Sequence, residues 1–291
     1  MRIRSATTRA GLALASQLLE GTHRQIRLGN SPEWVDVVRA GDPGKDPIVL
    51  IPGLAGGWRL LTPLVRQLAK RHEVIVCGLR GDKFPQGGGP ATELGDFAND
   101  FADIMSKLGL ERPTVMGVSF GGAIALELAV THPSKVGSLV VFGAEARFRT
   151  TLASTIARRV LERFPLPSDS GFVNQFFNVL HGTKPEPGPL PDFVVERCWE
   201  TDQCVMARRI AMLESFDVSD RLWRIDVPTL ILAGTRDVVV PLSRQRLLAQ
   251  SISGARFETL QGAGHIGFLT HRAEVVRHVS DLLRQVKHSA C

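Results

Sequence analysis

The strongest constraint on the fold is the regular alternation of short apolar runs with helical patterns along the chain. Six of these runs are almost continuously apolar, as expected of strands that are covered on both faces of a parallel sheet. They span residues 47–53, 73–79, 114–119, 136–144, 228–234 and 255–262. Between two of them, the stretch 96–109 has an apolar residue every three or four positions, which is the period of an amphipathic helix. Strand, helix and strand repeated in this way predict a mostly parallel sheet with right-handed crossovers.

Two parts of the chain depart from this alternation of strands and helices. Two β-type runs, 25–28 and 34–41, precede it and predict a leading pair of strands. The alternation is interrupted once, over residues 146–224, where no β-type run occurs and Arg, Phe and Pro are frequent. That length is too great for a plain connection, so it predicts an inserted, mainly helical subdomain. The predicted domains are a basic N-terminal extension (1–23), a core (24–145 and 225–291) and a helical cap subdomain (146–224).

The composition is that of a globular protein, with 44% hydrophobic and 22% charged residues in a chain of 291. No apolar run approaches the roughly 18 residues that a membrane-spanning helix needs, so we expect no integral membrane segment. The net charge of +6 is concentrated at the N-terminus, where residues 1–28 contain five arginines and one glutamate. No basic groove interleaved with aromatic residues follows this tail, so we expect no nucleic-acid partner. The oligomeric state, including a homo-oligomer, stays open.

Cysteine usage favours a reducing compartment. The four cysteines are sparse and irregularly spaced, without the neighbours that a metal site or a disulfide framework requires. They are Cys77, Cys198, Cys204 and Cys291. We therefore expect a cytoplasmic protein. Export or organelle import through the basic N-terminus is the alternative, but its apolar core of about six residues is shorter than that of a usual signal peptide.

Residues 114–129, "TVMGVSFGGAIALELA", predict a nucleophile. A β-type run enters the segment and a helical run leaves it, with a G-x-S-x-G pattern centred on Ser119 between them. A serine on such a tight turn presents its hydroxyl clear of the backbone. Gly117 and Gly121 suit close approaches of neighbouring chain, and Gly122 allows the new helix to lie tightly on the sheet.

A serine needs a base to take its proton and a carboxylate to orient that base. Asp237 follows the seventh strand and His265 lies in a Gly-rich loop after the last strand. Parallel strands bring these ends to the same edge of the sheet. Asp217 and Asp220 are alternative acids, but neither ends a strand. We predict Ser119, His265 and Asp237 as the catalytic residues.

These motifs resemble the alpha/beta hydrolase superfamily, in its capped, serine-nucleophile form of the esterase and lactonase type. The matching segments are "LRG" at 79–81, "GVSFGG" at 117–122, "GTRD" at 234–237 and "GAGH" at 262–265. The likeness covers about residues 24–287. It implies an eight-stranded, mostly parallel sheet with a helical cap inserted after the sixth strand. No metal constellation, phosphate-binding loop or dinucleotide fingerprint occurs in the sequence, so a cofactor-free enzyme without a metal is expected.

The loop after the third strand departs from the family pattern. Members of the superfamily usually carry His-Gly there, whereas this chain has Pro52-Gly53. The resemblance implies an oxyanion hole made of backbone N–H groups, and Leu54 and Phe120 are the residues in position to supply them. Whether Pro52 alters this loop stays open.

The identity of the nucleophile narrows the chemistry. Dehalogenases and epoxide hydrolases of this superfamily use an aspartate where Ser119 stands, and the chain has no tyrosine to polarise an epoxide. Carbon–carbon bond hydrolases commonly have Trp after the catalytic histidine, where this chain has Ile266. We therefore expect hydrolysis of a carboxylic ester or lactone through an acyl-enzyme. The alternatives are a carbon–carbon bond hydrolase, a cofactor-free haloperoxidase, an acyltransferase and a ligand-binding receptor of the same fold.

Aromatic residues are the candidates for contact with a small-molecule ester or lactone substrate. They are Trp58 below the cap, and Phe172, Phe176, Trp199 and Phe216 within it. The cap also contains many arginines, for which a solvated cap face is favoured over selection of an acidic substrate. Arg147, Arg158, Arg208 and Arg209 are among them.

Overall fold

The computed structural model describes residues 21–29, 31–82, 93–164, 166 and 171–290, and it contains one eight-stranded sheet. The strands are β1 (Thr22–Arg27), β2 (Trp34–Ala40), β3 (Pro47–Ile51), β4 (Glu73–Cys77), β5 (Thr114–Val118), β6 (Ser138–Phe142), β7 (Thr229–Gly234) and β8 (Arg256–Leu260). Their order across the sheet is β1-β2-β4-β3-β5-β6-β7-β8. β2 runs antiparallel to both β1 and β4, and every other neighbouring pair is parallel.

This architecture confirms the predicted fold class, and each predicted β-type run overlaps a strand. One boundary differs, because Thr22 and His23 form the start of β1 although the sequence places them in the N-terminal extension. The rest of that extension, residues 1–20 of the predicted 1–23, lies outside the described residues. Pairing with β2 from Thr22 onward extends the sheet edge by two residues.

Helices cover both faces of the sheet. They are α1 (Gly57–Leu60), α2 (Thr62–Leu68), α3 (Leu94–Lys107), α4 (Phe120–Thr131), α5 (Leu152–Arg163), α6 (Gly171–Val179), α7 (Pro189–Cys198), α8 (Gln203–Ser215), α9 (Leu242–Gln250), α10 (Gly267–Thr270) and α11 (Arg272–Ala290). Short 3-10 helices span Pro133–Lys135 and Ser219–Arg224. The helix predicted at 96–109 is α3.

The core explains why the strands are apolar at every position. In β3, Val49 and Ile51 belong to the apolar cluster that contains α3, α4 and α9, while Ile48 and Leu50 belong to the cluster that contains α2, α10 and α11. All four side chains are fully buried. Since each face of the sheet is covered by helices, neither face tolerates the alternating polar residues of a half-exposed strand.

Helices α5 to α8 lie between β6 and β7, and we call them the helical insertion. Its two ends meet, because Arg147 pairs with Asp217 in an isolated antiparallel bridge and the backbone N–H of Val218 donates to the carbonyl of Ala146 at 2.9 Å. Within the insertion α5 packs on α8. Helix α7 packs on α1 of the core, with Phe193 and Cys198 in the same apolar cluster as Trp58.

Cys77, Cys198 and Cys204 carry free thiols, and Cys291 lies outside the described residues. Complete burial raises the pKa of Cys77 and of Cys198 to about 12, so both stay protonated and unreactive near neutral pH. Within the described part of the chain, no helix combines the length and the apolar character that crossing a membrane requires.

Candidate active site

Ser119 stands on the sharp turn between β5 and α4. Its backbone has φ 54° and ψ −119°, a conformation that L-residues rarely adopt. Its N–H donates to the carbonyl of Phe142 at 2.8 Å, which ties the turn to the neighbouring strand β6. Because α4 begins at Phe120, the unpaired N–H groups and positive dipole end of the helix lie directly beside the serine.

The three glycines around Ser119 have no room for side chains. A Cβ on Gly117 would lie 2.1 Å from the carbonyl oxygen of Gly121. A Cβ on Gly121 would lie 2.3 Å from the carbonyl oxygen of Ile51, and one on Gly122 would lie 2.7 Å from the Cβ of Ala144. The strand, the turn and the helix therefore pack backbone against backbone, and this packing sustains the strained conformation of the serine.

The structure brings His265 and Asp237 to the same place. The Nε2 atom of His265 lies 2.7 Å from the Oγ of Ser119, and its Nδ1 lies 2.9 Å from the Oδ2 of Asp237. Both side chains are buried. Gly143, with φ +64°, lies against the imidazole, and a Cβ there would be 3.2 Å from the Cε1 of His265. The three predicted residues thus form one continuous hydrogen-bonded relay.

Asp237 is held by three further contacts, which involve both of its oxygens. Its Oδ1 accepts the N–H groups of Val239 and Val240, each at 2.9 Å. Its Oδ2, which accepts from His265, also accepts from the Nε2 of Gln245 at 3.3 Å. Gln245 is fully buried, donates to the carbonyl of Val240 at 2.8 Å and accepts the N–H of Gly143 at 3.2 Å.

Sequence reasoning missed Gln245, although a signal was present. Gln245 shares the buried stripe of α9 with Leu248 and Ala249. A polar residue on an otherwise apolar stripe must satisfy its amide inside the protein. Here the satisfying partners are the carboxylate of Asp237 and the two backbone segments around it.

The alternative acids are located elsewhere. Asp217 lies at the end of the helical insertion, where it accepts the N–H of Ser219 at 3.0 Å and pairs with Arg147. Asp220 has a side chain that is 86% exposed. Neither contacts His265, so the geometry favours Asp237 as the carboxylate of the relay.

The loop after β3 lies beside the serine. A Cβ on Gly53 would be 3.7 Å from the Cβ of Ser119, so this loop packs directly against the serine. The side chain of Phe120 is fully buried beneath it. Pro52 contributes its carbonyl oxygen to the close contact with Gly121, where a Cβ would lie 2.4 Å away. Leu54 follows Gly53 and Phe120 follows Ser119 along the chain, so both predicted oxyanion-hole residues adjoin the two residues that pack together at this turn.

The predicted substrate-binding aromatics are dispersed. Trp58 is buried in the contact between α1 and α7, and Phe216 is buried in the core cluster at the end of α8. Trp199 is half-buried and donates its indole N–H to the Oδ1 of Asn174 at 3.0 Å. The side chains of Phe172 and Phe176 are outside the described residues.

A groove of about 1050 Å³ opens between α6, α7 and the turn that joins them. Trp199 lines it on one side and Val238, the neighbour of Asp237, lines it on another. Ser119 and His265 are not among its lining residues. We call this space the insertion groove.

The arginines of the insertion are not all solvated. Arg147 is largely exposed, as the sequence predicts, with 65% of its side chain accessible. The prediction is wrong for Arg209, whose side chain is 1% exposed. Its guanidinium finds buried hydrogen-bond partners on the core, which the sequence pattern of α8 does not reveal. Among the described residues, no group of three His, Cys, Asp or Glu side chains could hold a metal ion.

Comparison with known families gives one extended match. Residues 46–272, more than half of the chain, match the family model described as the alpha/beta hydrolase fold. The matched segment includes Ser119, Asp237 and His265.

Individual relatives are more distant. A protein of Azorhizobium caulinodans, provisionally named carbamate hydrolase RutD, is 29% identical over 238 residues, which are 75% of this chain and 84% of the relative. A thermophilic esterase from Thermogutta terrifontis superposes with a TM-score of 0.77 at 21% identity, over 91% of this chain and 99% of the esterase. The enol-lactonase from Burkholderia xenovorans LB400 gives 0.74 at 20% identity, over 90% of this chain and 100% of the lactonase. At these identities the two structural likenesses bear on the fold alone.

Proposed function

The chain belongs to the alpha/beta hydrolase family, and on that premise we propose that it is a serine hydrolase that cleaves a carboxylic ester or a lactone. The observation that carries the proposal is the relay of Ser119, His265 and Asp237, with contacts of 2.7 Å and 2.9 Å. The serine, the histidine and the aspartate come from three separate loops and are joined through both nitrogens of one imidazole. Packing alone does not explain such an arrangement.

The mechanism follows from this geometry. His265 takes the proton of Ser119 as the Oγ attacks the substrate carbonyl, and Asp237 orients the imidazole and stabilises its charge. The N–H groups of Leu54 and Phe120 bind the oxyanion of the tetrahedral intermediate. The alcohol leaves with the proton from His265, and a water molecule then hydrolyses the acyl-enzyme by the same route in reverse.

The relatives named carbamate hydrolase favour a second substrate class. A carbamate presents the same carbonyl to the serine, flanked by nitrogen on one side and oxygen on the other. The two classes differ in the stability of the covalent intermediate, because a carbamoyl group is less electrophilic than an acyl group. Matched ester and carbamate substrates with one leaving group separate them.

Four alternatives use the same fold. Carbon–carbon bond hydrolysis, cofactor-free haloperoxidase activity and acyl transfer would use the same relay and are separated by their products. Peracid formation from acetate identifies the second, and preference for an alcohol over water identifies the third. A ligand-binding receptor would give one slow turnover with a lasting adduct, whereas an esterase turns over p-nitrophenyl esters continuously.

We also propose that the helical insertion covers the substrate as a cap, with Trp199 on the wall of the insertion groove. Its position between β6 and β7 and the contact of the groove with Val238 support this role. The lining combines the apolar surfaces of Trp199, Val195 and Pro191 with polar and charged side chains, so it offers a substrate both an apolar wall and hydrogen-bonding groups.

The test is activity-based labelling with a fluorophosphonate, followed by a panel of p-nitrophenyl esters of increasing acyl length. The wild-type protein is expected to be labelled, and Ser119→Ala is expected to lose labelling and about 10⁴-fold or more of kcat. The exposed Ser215→Ala is the control and should behave as wild type. Absence of labelling and turnover in a folded wild-type protein would refute the proposal.

A further inference from the structure

Arg209 is a buried charge that reaches out of the insertion. It lies on α8 and is the bulkiest fully buried side chain among the described residues. Burial of a guanidinium is costly unless its N–H groups and its charge find partners. A chain that retains such a residue therefore places it against specific acceptors, and those acceptors show what it holds.

Its hydrogen-bond acceptors within the described part of the chain all lie on the core. Nη1 donates to the carbonyl of Leu54 at 2.9 Å. Nη2 donates to the Oδ1 of Asp82 at 2.7 Å and to the carbonyl of Arg80 at 3.2 Å. Asp82 is itself oriented, because its other oxygen accepts the N–H of Leu79 at 2.8 Å. The arginine thus joins the insertion to the loops after β3 and β4.

The same guanidinium contacts both residues of the proposed oxyanion hole. It bonds Leu54 directly, and its central carbon lies 5.8 Å from the ring centroid of Phe120. It does not reach the donor N–H groups themselves. Its effect on an oxyanion would therefore be exerted through the position of these two residues.

The loop that carries Leu54 depends on such external contacts. It connects β3 to α1, and the two glycines at its junction with α1, Gly56 and Gly57, have φ +78° and +50°. Glycines give this segment more conformational freedom than other residues would. A second side chain of the insertion restrains it as well, since the N–H of Gly56 donates to the Oγ1 of Thr201 at 2.9 Å.

We propose that Arg209 is a positioning residue for the oxyanion hole, which fixes the Leu54 loop against Ser119 from the helical insertion. This inference rests on the proposed hydrolase function. Its consequence is that the insertion contributes to the rate of the chemical step, in addition to any contact with substrate. Arg209 acts together with Thr201, and Asp82 balances its charge.

The test compares Arg209→Met and Arg209→Lys with Arg208→Met, an exposed neighbour on the same helix. Each variant is assayed for kcat and KM on a p-nitrophenyl ester and for inhibition by an alkyl boronic acid, whose tetrahedral adduct with Ser119 occupies the oxyanion hole. Urea unfolding of each variant gives its folded fraction. Removal of a whole oxyanion donor costs about 10²- to 10³-fold in kcat, so a displaced donor should cost about 10- to 100-fold.

The expected result is such a loss in kcat for Arg209→Met, with KM changed less than about threefold and boronate affinity reduced in parallel with kcat. Arg209→Lys should lie between it and wild type, because a lysine supplies the charge but not the forked donors. Arg208→Met should be unaffected. If Arg209→Met does not fold, Thr201→Val tests the same loop and should lower kcat and boronate affinity together by a smaller factor.

Two outcomes overturn the proposal. One is a folded Arg209→Met protein, or a folded Thr201→Val protein in its place, with wild-type kcat and boronate affinity. The other is a loss confined to KM, which would assign the residue to substrate binding. Failure of wild type to react with either the ester or the fluorophosphonate would instead refute the hydrolase function, so the two failures are distinguishable.

Discussion

Replacement of Gln245 by leucine tests how the carboxylate of the relay is held. The substitution keeps the approximate volume of the side chain and removes its amide. Three buried hydrogen bonds are lost with it: to Val240 at 2.8 Å, from Gly143 at 3.2 Å and to Asp237 at 3.3 Å. The largest single loss falls on the carbonyl of Val240, which accepts the shortest of the three bonds. The N–H of Gly143 loses less, because it keeps a longer bond of 3.4 Å to the carbonyl of Leu232.

The magnitude follows from these contacts. A buried polar group that loses its partner costs about 1–3 kcal/mol, and the two longer bonds are each worth about 1 kcal/mol. The free energy of unfolding should therefore fall by about 3–5 kcal/mol in Gln245→Leu. Asp237 retains the N–H groups of Val239 and Val240 as well as His265. The relay should remain assembled, and kcat should fall about tenfold, which is about 1.4 kcal/mol, rather than the roughly 10⁴-fold expected when a triad residue is lost.

Urea unfolding and steady-state kinetics on a p-nitrophenyl ester measure the two effects separately. Gln250→Leu is the matched control, because Gln250 is exposed on the same helix α9. Gln245→Glu adds a directional test: a second buried carboxylate next to Asp237 favours proton uptake by the pair, so the acid limb of the kcat/KM profile should move to higher pH. Loss of less than about 1 kcal/mol in Gln245→Leu, with unchanged kcat, would refute the reasoning.

Two further predictions concern stability. Gly121→Ala places a methyl group 2.3 Å and 2.4 Å from the carbonyl oxygens of Ile51 and Pro52, so the free energy of unfolding should fall by about 3 kcal/mol or more. The control is Gly171→Ala, whose methyl group would meet no atom of the described residues within 4 Å, and a loss for Gly121→Ala below about 1 kcal/mol would contradict the prediction. Burial lowers the pKa of His72 below its ordinary value of 6.5, so the unfolded chain takes up the proton first and stability falls as pH drops below about 6.5. His72→Gln should show a smaller loss between about pH 7.5 and 5.5 in urea titrations, and an unchanged pH slope would count against this assignment.

The sheet could be predicted from the sequence because its strands are buried on both faces. A run such as 47–53 is apolar throughout because both of its faces are buried, and this pattern can be recognised without knowing which strands lie beside it. The position of Ser119 was equally accessible, since only a close backbone approach explains glycines at 117, 121 and 122. Asp237 and His265 followed from the rule that parallel strands end at a common edge.

The residues that sequence reasoning missed act through long-range contacts. Arg209 is separated by 155 positions from Leu54, and its neighbour Arg208 on α8 is exposed although the two residues are chemically the same. Local periodicity cannot distinguish an arginine that faces solvent from one that faces a carbonyl of another loop. Trp58 and Phe216 show the same limit, because an aromatic side chain is equally suited to a packed core and to a substrate pocket.

The paired ends of the helical insertion have an evolutionary consequence. A segment that departs and returns at one point, between Ala146 and Val218, can be exchanged as a module while β6 and β7 keep their places in the sheet. In this protein the exchange carries a penalty, because a chimaera with a foreign segment would lack Arg209 and Thr201 and would leave the Leu54 loop unsupported. Given the positioning role proposed for Arg209, an exchange of the segment should be tolerated best when α8 is retained.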